Sequence, residues 1–250
     1  MDKSLIIFNL DQSKKRIPRL GLRENFQLRY LLPLFIKFLT RMGYENTSLT
    51  DAVRKNKGKY FVFSCDIYET TTISFIKKFT RHQNLPICYF IVLSTLDEAY
   101  KAEQSLAKPF SVAPNLRSLI FDNNEVGLIG ADETNMTTLS QAAQCERLAS
   151  SIKNFEEELG VSPIPIYSYP QGAYDVDLIN ALKSFGFRAA VCNASGINDA
   201  SSDPFQLRRV FFDPFSSMSY IKIIYRLLKL RNKRLVKTNK TELKGEILNI

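Results

Sequence analysis

The chain has 250 residues, 45% of them hydrophobic and 24% charged, and carries a net charge of +9. That composition excludes wholesale disorder, a collagen-like repeat and a disulfide framework. One histidine, His82, excludes any mechanism that needs two, and the four cysteines (65, 88, 145, 192) fit no zinc spacing and read as reduced thiols. The charge is concentrated. Residues 222–244 hold nine basic residues and one acidic one, Glu242, and a smaller basic group is Lys14, Lys15, Arg16, Arg19 and Arg23. No run approaches the roughly 18 apolar residues of a spanning helix. Leu5 to Phe8 is too short for the core of a signal peptide. A soluble, cytoplasmic protein is therefore expected, peripheral at the inner membrane surface if its basic segment docks there.

In chain order, Leu5 to Phe8 reads as a strand and Phe26 to Met42 as a helix with Leu28, Leu31, Leu32, Phe35, Ile36 and Leu39 on one face. Lys59 to Asp66 is a β-type run, Thr71 to His82 is helical, and Ile87 to Leu93 is a continuous apolar run suited to a strand buried on both faces. Leu96 to Leu106 reads as helix, Glu125 to Ile129 as strand, and Leu139 to Leu159 as a long helix stopped by Gly160. Ile164 to Tyr169 is a strand closed by Pro170-Gln171-Gly172. A helix follows from Asp175, its N-cap, to Phe185, and Gly186 ends it. Arg188 to Cys192 is a strand, Ala194 to Pro204 a loop, Phe205 to Phe212 an alternating edge strand, and Ser216 to about Arg234 the last helix. This alternation, with no Gly- or Ser-rich linker, argues for one α/β unit on a mainly parallel sheet, most simply a closed or nearly closed barrel. It spans residues 1–234, and 235–250 form a basic tail with too few apolar residues to offset the entropy of ordering.

Several segments then resemble the polysaccharide deacetylases, the NodB-homology domains of carbohydrate esterase family four. That family carries a strand ending Thr-Phe-Asp-Asp-Gly, then a helix, then a strand ending in a Thr-Phe-Phe type run. Here the strand ends Phe63-Ser64-Cys65-Asp66-Ile67, and Ile87-Cys88-Tyr89-Phe90 follows the helix. Residues 125–133, followed by Leu139-Ser140, are similar to the segment holding the family's His-Ser-x-x-x-His element. Ser168-Tyr169-Pro170-Gln171-Gly172 is similar to its Arg-x-Pro-Tyr-Gly motif. The resemblance covers residues 1 to about 230. It implies a distorted seven-stranded (β/α) barrel and a polysaccharide or oligosaccharide partner.

It also implies a divalent metal, held by one Asp and two His, which makes hydroxide available at neutral pH, with a second Asp as general base. On this comparison Asp66 falls on the metal-ligating Asp and Cys65 on the base. Ile129 and Glu133 fall on the two His, Ser168 on the Arg and Gln171 on the Tyr. The late acid His has no counterpart, because no histidine follows His82. Three readings stand open. The first is a catalytically degenerate polysaccharide-binding protein with no metal cofactor. The second is a divergent hydrolase of the C–N bond of N-acetylated sugars, using an all-oxygen metal site of Asp66, Asp132 and Glu133. The third is a scaffold that docks on an anionic membrane through the basic 222–244 segment. Tyr169, Pro170, Gln171, Gly172 and Tyr174 are the expected sugar groove. Nucleic acid is disfavoured by the lack of aromatic residues interleaved with the bases.

Overall fold

A computed structural model describes residues 3–10, 26–68, 85–93 and 124–230. The expected helices over 71–82 and 96–106, His82, the basic group from Lys14 to Arg23 and the 235–250 tail lie outside the described residues. The strands are β1 (Ser4–Leu10), β2 (Glu45–Asn46), β3 (Lys59–Ile67), β4 (Ile87–Val92), β5 (Glu125–Gly130), β6 (Ile166–Ser168), β7 (Ala189–Ser195), β8 (Asn198–Asp199) and β9 (Leu207–Phe212). The helices are α1 (Leu32–Arg41), α2 (Leu49–Arg54), α3 (Gln141–Leu159), α4 (Val176–Ser184) and α5 (residues 217–230). A wide turn, Gln27–Leu31, leads into α1, where Pro33 has no N–H to give the preceding turn.

Seven parallel strands close a barrel in the order β1-β3-β4-β5-β6-β7-β9 and back to β1. This is the α/β barrel expected from the sequence. The short β2 adds to the start of β3, and β8 runs antiparallel to the start of β1. Both went unseen in the sequence, as did α2. Two residues carry too little periodicity to read. The expected edge strand at the C-terminal side is not an edge. β9 pairs with β7 on one side and with β1 on the other, Phe8 opposite Val210, and so seals the barrel.

Strand alternation separates two cores. Leu5, Ile7, Val62, Cys88, Phe90, Val92, Ile129, Ile166, Val191 and Leu207 fill the barrel interior. Gly127 makes room there, since a Cβ on it would meet the Phe90 ring at 2.8 Å. The intervening residues face the helices: Phe8 and Phe212 pack with Phe35 of α1, and Phe61 and Phe63 pack on Phe8. Local chemistry closes the helices as the sequence suggests. Gly160 ends α3 in the left-handed region at φ 73°, and Asp175 accepts from Leu178 N at 2.7 Å to start α4. Glu125 accepts from Leu49 N and Thr50 N, tying the first turn of α2 to β5.

Candidate functional site

A parallel barrel gathers its strand C-termini at one mouth, where such folds place their chemistry. The inner-facing residues at the ends of the strands are Asn9 on β1, Asp66 on β3, Ser168 on β6, Asn193 on β7, and Arg209 and Phe211 on β9. At the centre is an ion pair. Arg209 Nη1 donates to Asp66 Oδ1 at 2.7 Å, with side-chain exposures of 1% and 8%. Arg209 also donates through Nη2 to Asn193 Oδ1 at 2.6 Å and through Nε to the Cys192 carbonyl at 3.2 Å. A register shift between β7 and β9 at Val191 to Ser195 places Asn193 beside the guanidinium. Ser168 Oγ donates to Asp66 Oδ1 at 3.4 Å. Burial opposes the Arg209 charge, but the Asp66 carboxylate outweighs it and holds the guanidinium pKa above its usual value. Tyr68, next along the chain, has its phenol pKa pushed up, first by burial and then by the negative Asp66, so it stays a neutral hydroxyl.

The expected catalytic pair is split. Asp66 lies inside the barrel, whereas Cys65 points to the opposite side of β3 and is fully buried in the layer between barrel and helices. Successive residues of a strand face opposite ways, so Cys65 cannot share the mouth with Asp66. The expected oxygen set is not assembled either. Among the described residues no three His, Cys, Asp or Glu side chains are grouped to hold a metal ion. Asp132 is taken by an ion pair with Arg147 of α3 and by capping Thr134 N at 2.9 Å. Burial pushes its carboxyl pKa up, but those bonds prevail and hold it below the usual value. Glu133 is exposed, and its backbone carbonyl accepts from Gln171 Nε2 at 3.1 Å. Ile129 is buried inside the barrel among apolar neighbours.

The expected sugar groove is also redistributed. Tyr169 and Pro170 are buried. The Tyr169 ring stacks on Tyr174 at 4.9 Å, and its hydroxyl donates to the Phe205 carbonyl at 2.9 Å. Tyr174 Oη donates to Gln206 Oε1 at 3.2 Å. Both tyrosines thus hold the turn that delivers β9, and with it Arg209, to the mouth. Gln171 is exposed and left-handed at φ 55°. Gly172, at φ 75°, lies so close to Asn193 that a Cβ would meet Asn193 Cβ at 2.7 Å. Gly172→Ala is expected to cost about 2 kcal/mol from the left-handed backbone and the clash. A denaturation midpoint matching the parent protein would show that Asn193 yields freely.

Arg209, Asn193, Asn9 and Phe211 were missed by sequence reasoning. Leu207, Arg209 and Phe211 alternate along β9, and that alternation was the available signal. Asn9 is 6% exposed, and its Oδ1 has no hydrogen-bond partner among the described residues. Phe211 is 55% exposed, a large apolar ring at the rim of a polar mouth.

The family model described as polysaccharide deacetylase matches residues 53–190. No curated protein matches the sequence. Among solved structures, the Streptococcus pyogenes deacetylase PplD, in complex with acetate, is 11% identical with a TM-score of 0.66, over 90% of this chain and 97% of that one. IcaB from Ammonifex degensii is 15% identical with a TM-score of 0.66 over the same shares. A de-N-acetylase from Aggregatibacter actinomycetemcomitans is 18% identical with a TM-score of 0.61, over 89% of this chain and 99% of that one. At these identities the likeness is one of fold.

Proposed function

The chain belongs to the polysaccharide deacetylase family, and from that premise we propose that it binds a polysaccharide or oligosaccharide at the barrel mouth without hydrolysing it. The observation that carries this reading is the Asp66–Arg209 pair. Because Ser64 and Asp66 share the inner side of β3, the Thr-Phe-Asp-Asp-Gly motif fits best with its first carboxylate, the base, on Asp66 and its second, the metal ligand, on Ile67. This moves the expected register by one. Ile67 is buried in the helix-facing layer and has no donor atom. A chain with one histidine has no His pair to offer. The residues present therefore do not fit the family's metal. The Arg209 guanidinium on Asp66 would repel a cation placed beside that carboxylate. The family motif's Arg position is Ser168, and the guanidinium beside Asp66 comes from β9 instead.

What remains at the mouth suits an uncharged polyhydroxyl ligand. Phe211 offers a flat apolar face for the C–H side of a sugar ring. Asn9 Oδ1 offers an acceptor, and the Ser168 hydroxyl lies on Asp66 at the same mouth. The hydrolase alternative needs Asp132 and Glu133 at the same site as Asp66, and the Asp132–Arg147 ion pair and the lack of such a cluster among the described residues weigh against it. The third reading, a basic segment drawn to an anionic membrane, is compatible with sugar binding. No helix among the described residues is long and apolar enough to cross a membrane.

Oligomers of N-acetylglucosamine, added to the purified protein, are expected to bind by calorimetry and to release no acetate with Zn²⁺ or Co²⁺ present. Phe211→Ala should weaken binding roughly tenfold, taking as a guide the about 1–3 kcal/mol of a nucleobase stacked on an aromatic side chain. Acetate release that disappears in Asp66→Ala would overturn the reading. So would oligomer binding indifferent to Phe211→Ala.

A further inference from the structure

Helices α1 and α5 lie side by side on the outside of the barrel. The Phe35 ring meets Tyr220 edge-on at 5.4 Å, and Gln27 Nε2 donates to Ser217 Oγ at 3.2 Å. Their inward stripes are Leu28, Leu32, Phe35 and Leu39, and Tyr220, Ile223 and Leu227. An ordinary surface helix is polar on the other side. These two are not. Phe26, Tyr30 and Leu34 recur every four residues along the outer side of α1 and the turn before it, and Met218, Ile221 and Tyr225, spaced three and four, along that of α5, each more than half exposed. Leu228 and Leu230 continue the second group. The Phe26 and Tyr30 rings lie 5.1 Å apart, and the Arg29 guanidinium sits over Tyr30.

The charges on these helices are of one sign. Residues 26–42 and 217–230 contain Arg29, Lys37, Arg41, Lys222, Arg226 and Lys229 and no acidic residue. Exposed aromatic and aliphatic residues set among bases match a bilayer's interfacial zone, where the rings enter the headgroup boundary and the cations meet anionic phosphates. A second copy of this chain is a poor occupant, because it would bring six cations against six. A neutral apolar partner would leave the bases unanswered. We propose that α1 and α5 together form a docking surface for an anionic lipid bilayer, with their outer apolar residues inserted. This rests on the reading of the basic 222–244 segment as membrane-seeking. It adds a second helix and an apolar component that charge alone does not supply.

The chain has no tryptophan, so Tyr225→Trp creates a single reporter. With the full chain and vesicles of phosphatidylcholine and phosphatidylglycerol, its emission should shift to the blue and be quenched by brominated acyl chains. Vesicles of phosphatidylcholine alone should produce neither change. Leu34→Glu with Ile221→Glu, both at exposed positions, should weaken vesicle binding by at least roughly tenfold while the unfolding midpoint holds. Salt-sensitive binding with unshifted emission, unaffected by that double change, would leave attraction by the 222–244 segment standing and overturn insertion. No vesicle binding even at low salt would overturn both. Self-association in lipid-free solution that the double change abolishes would assign the face to a second copy and overturn the proposal.

Discussion

Arg209→Met should lower the unfolding free energy by about 3–5 kcal/mol, the usual cost of removing one partner of a buried ion pair. For a chain of this size that is a drop in Tm on the order of 10 °C. The Asp66 carboxylate would keep its buried position and lose the Arg209 charge, while Asn193 Oδ1 and the Cys192 carbonyl would lose this donor. The double change Asp66→Leu with Arg209→Met removes both charges together and should cost much less than the sum of the two single changes. A coupling of about 1–3 kcal/mol is expected from a double-mutant cycle in urea. Additive effects would show that Asp66 and Arg209 are held independently and would remove the main support for a guanidinium in place of a metal. A recovered Tm in Arg209→Met on adding Zn²⁺ would show that the mouth accepts a metal once the guanidinium is gone.

Phe212→Ala should cost a similar amount, about 3–5 kcal/mol, because a buried aromatic ring is removed and the cavity closes only in part. Phe212 stacks on Phe35 at 5.4 Å and meets Phe8, Phe63 and the Tyr220 ring, so one side chain joins β9, β1, β3, α1 and α5. Its neighbour Phe211 is exposed, and Phe211→Ala should stay within about 0.5 kcal/mol. Thermal unfolding of the two variants side by side tests the alternation of β9 directly. Equal losses would mean that β9 does not present one face to the helices and the other to the mouth.

Much of the architecture was legible in the residues because burial on both faces leaves a plain trace. Leu5 to Phe8, Tyr60 to Phe63 and Ile87 to Val92 are unbroken apolar runs, as strands of a barrel sheathed in helices require. Gly160 and Asp175 marked helix ends through local backbone chemistry that needs no tertiary contact. A histidine count of one already disqualified the family's two-His metal site. Other features depend on partners far apart in sequence. Asp66 and Arg209 are 143 residues apart, and only closure of β9 onto β1 and β7 brings them to one mouth. The side of β3 on which Cys65 lies is set by its pleat, and a slip of one residue in the motif comparison reverses it. Tyr169 looked like a sugar platform because aromatic rings suit both solvent-facing stacking and burial; packing against Tyr174 and Phe205 decided for burial. Periodicity pointed to one α/β barrel, motif resemblance to this family, and composition to a single histidine where the family uses two. Which carboxylate faces inward, and which cation neutralises it, was decided by strand pairing alone, because a side chain's partner in a closed barrel is chosen by register and not by distance along the chain.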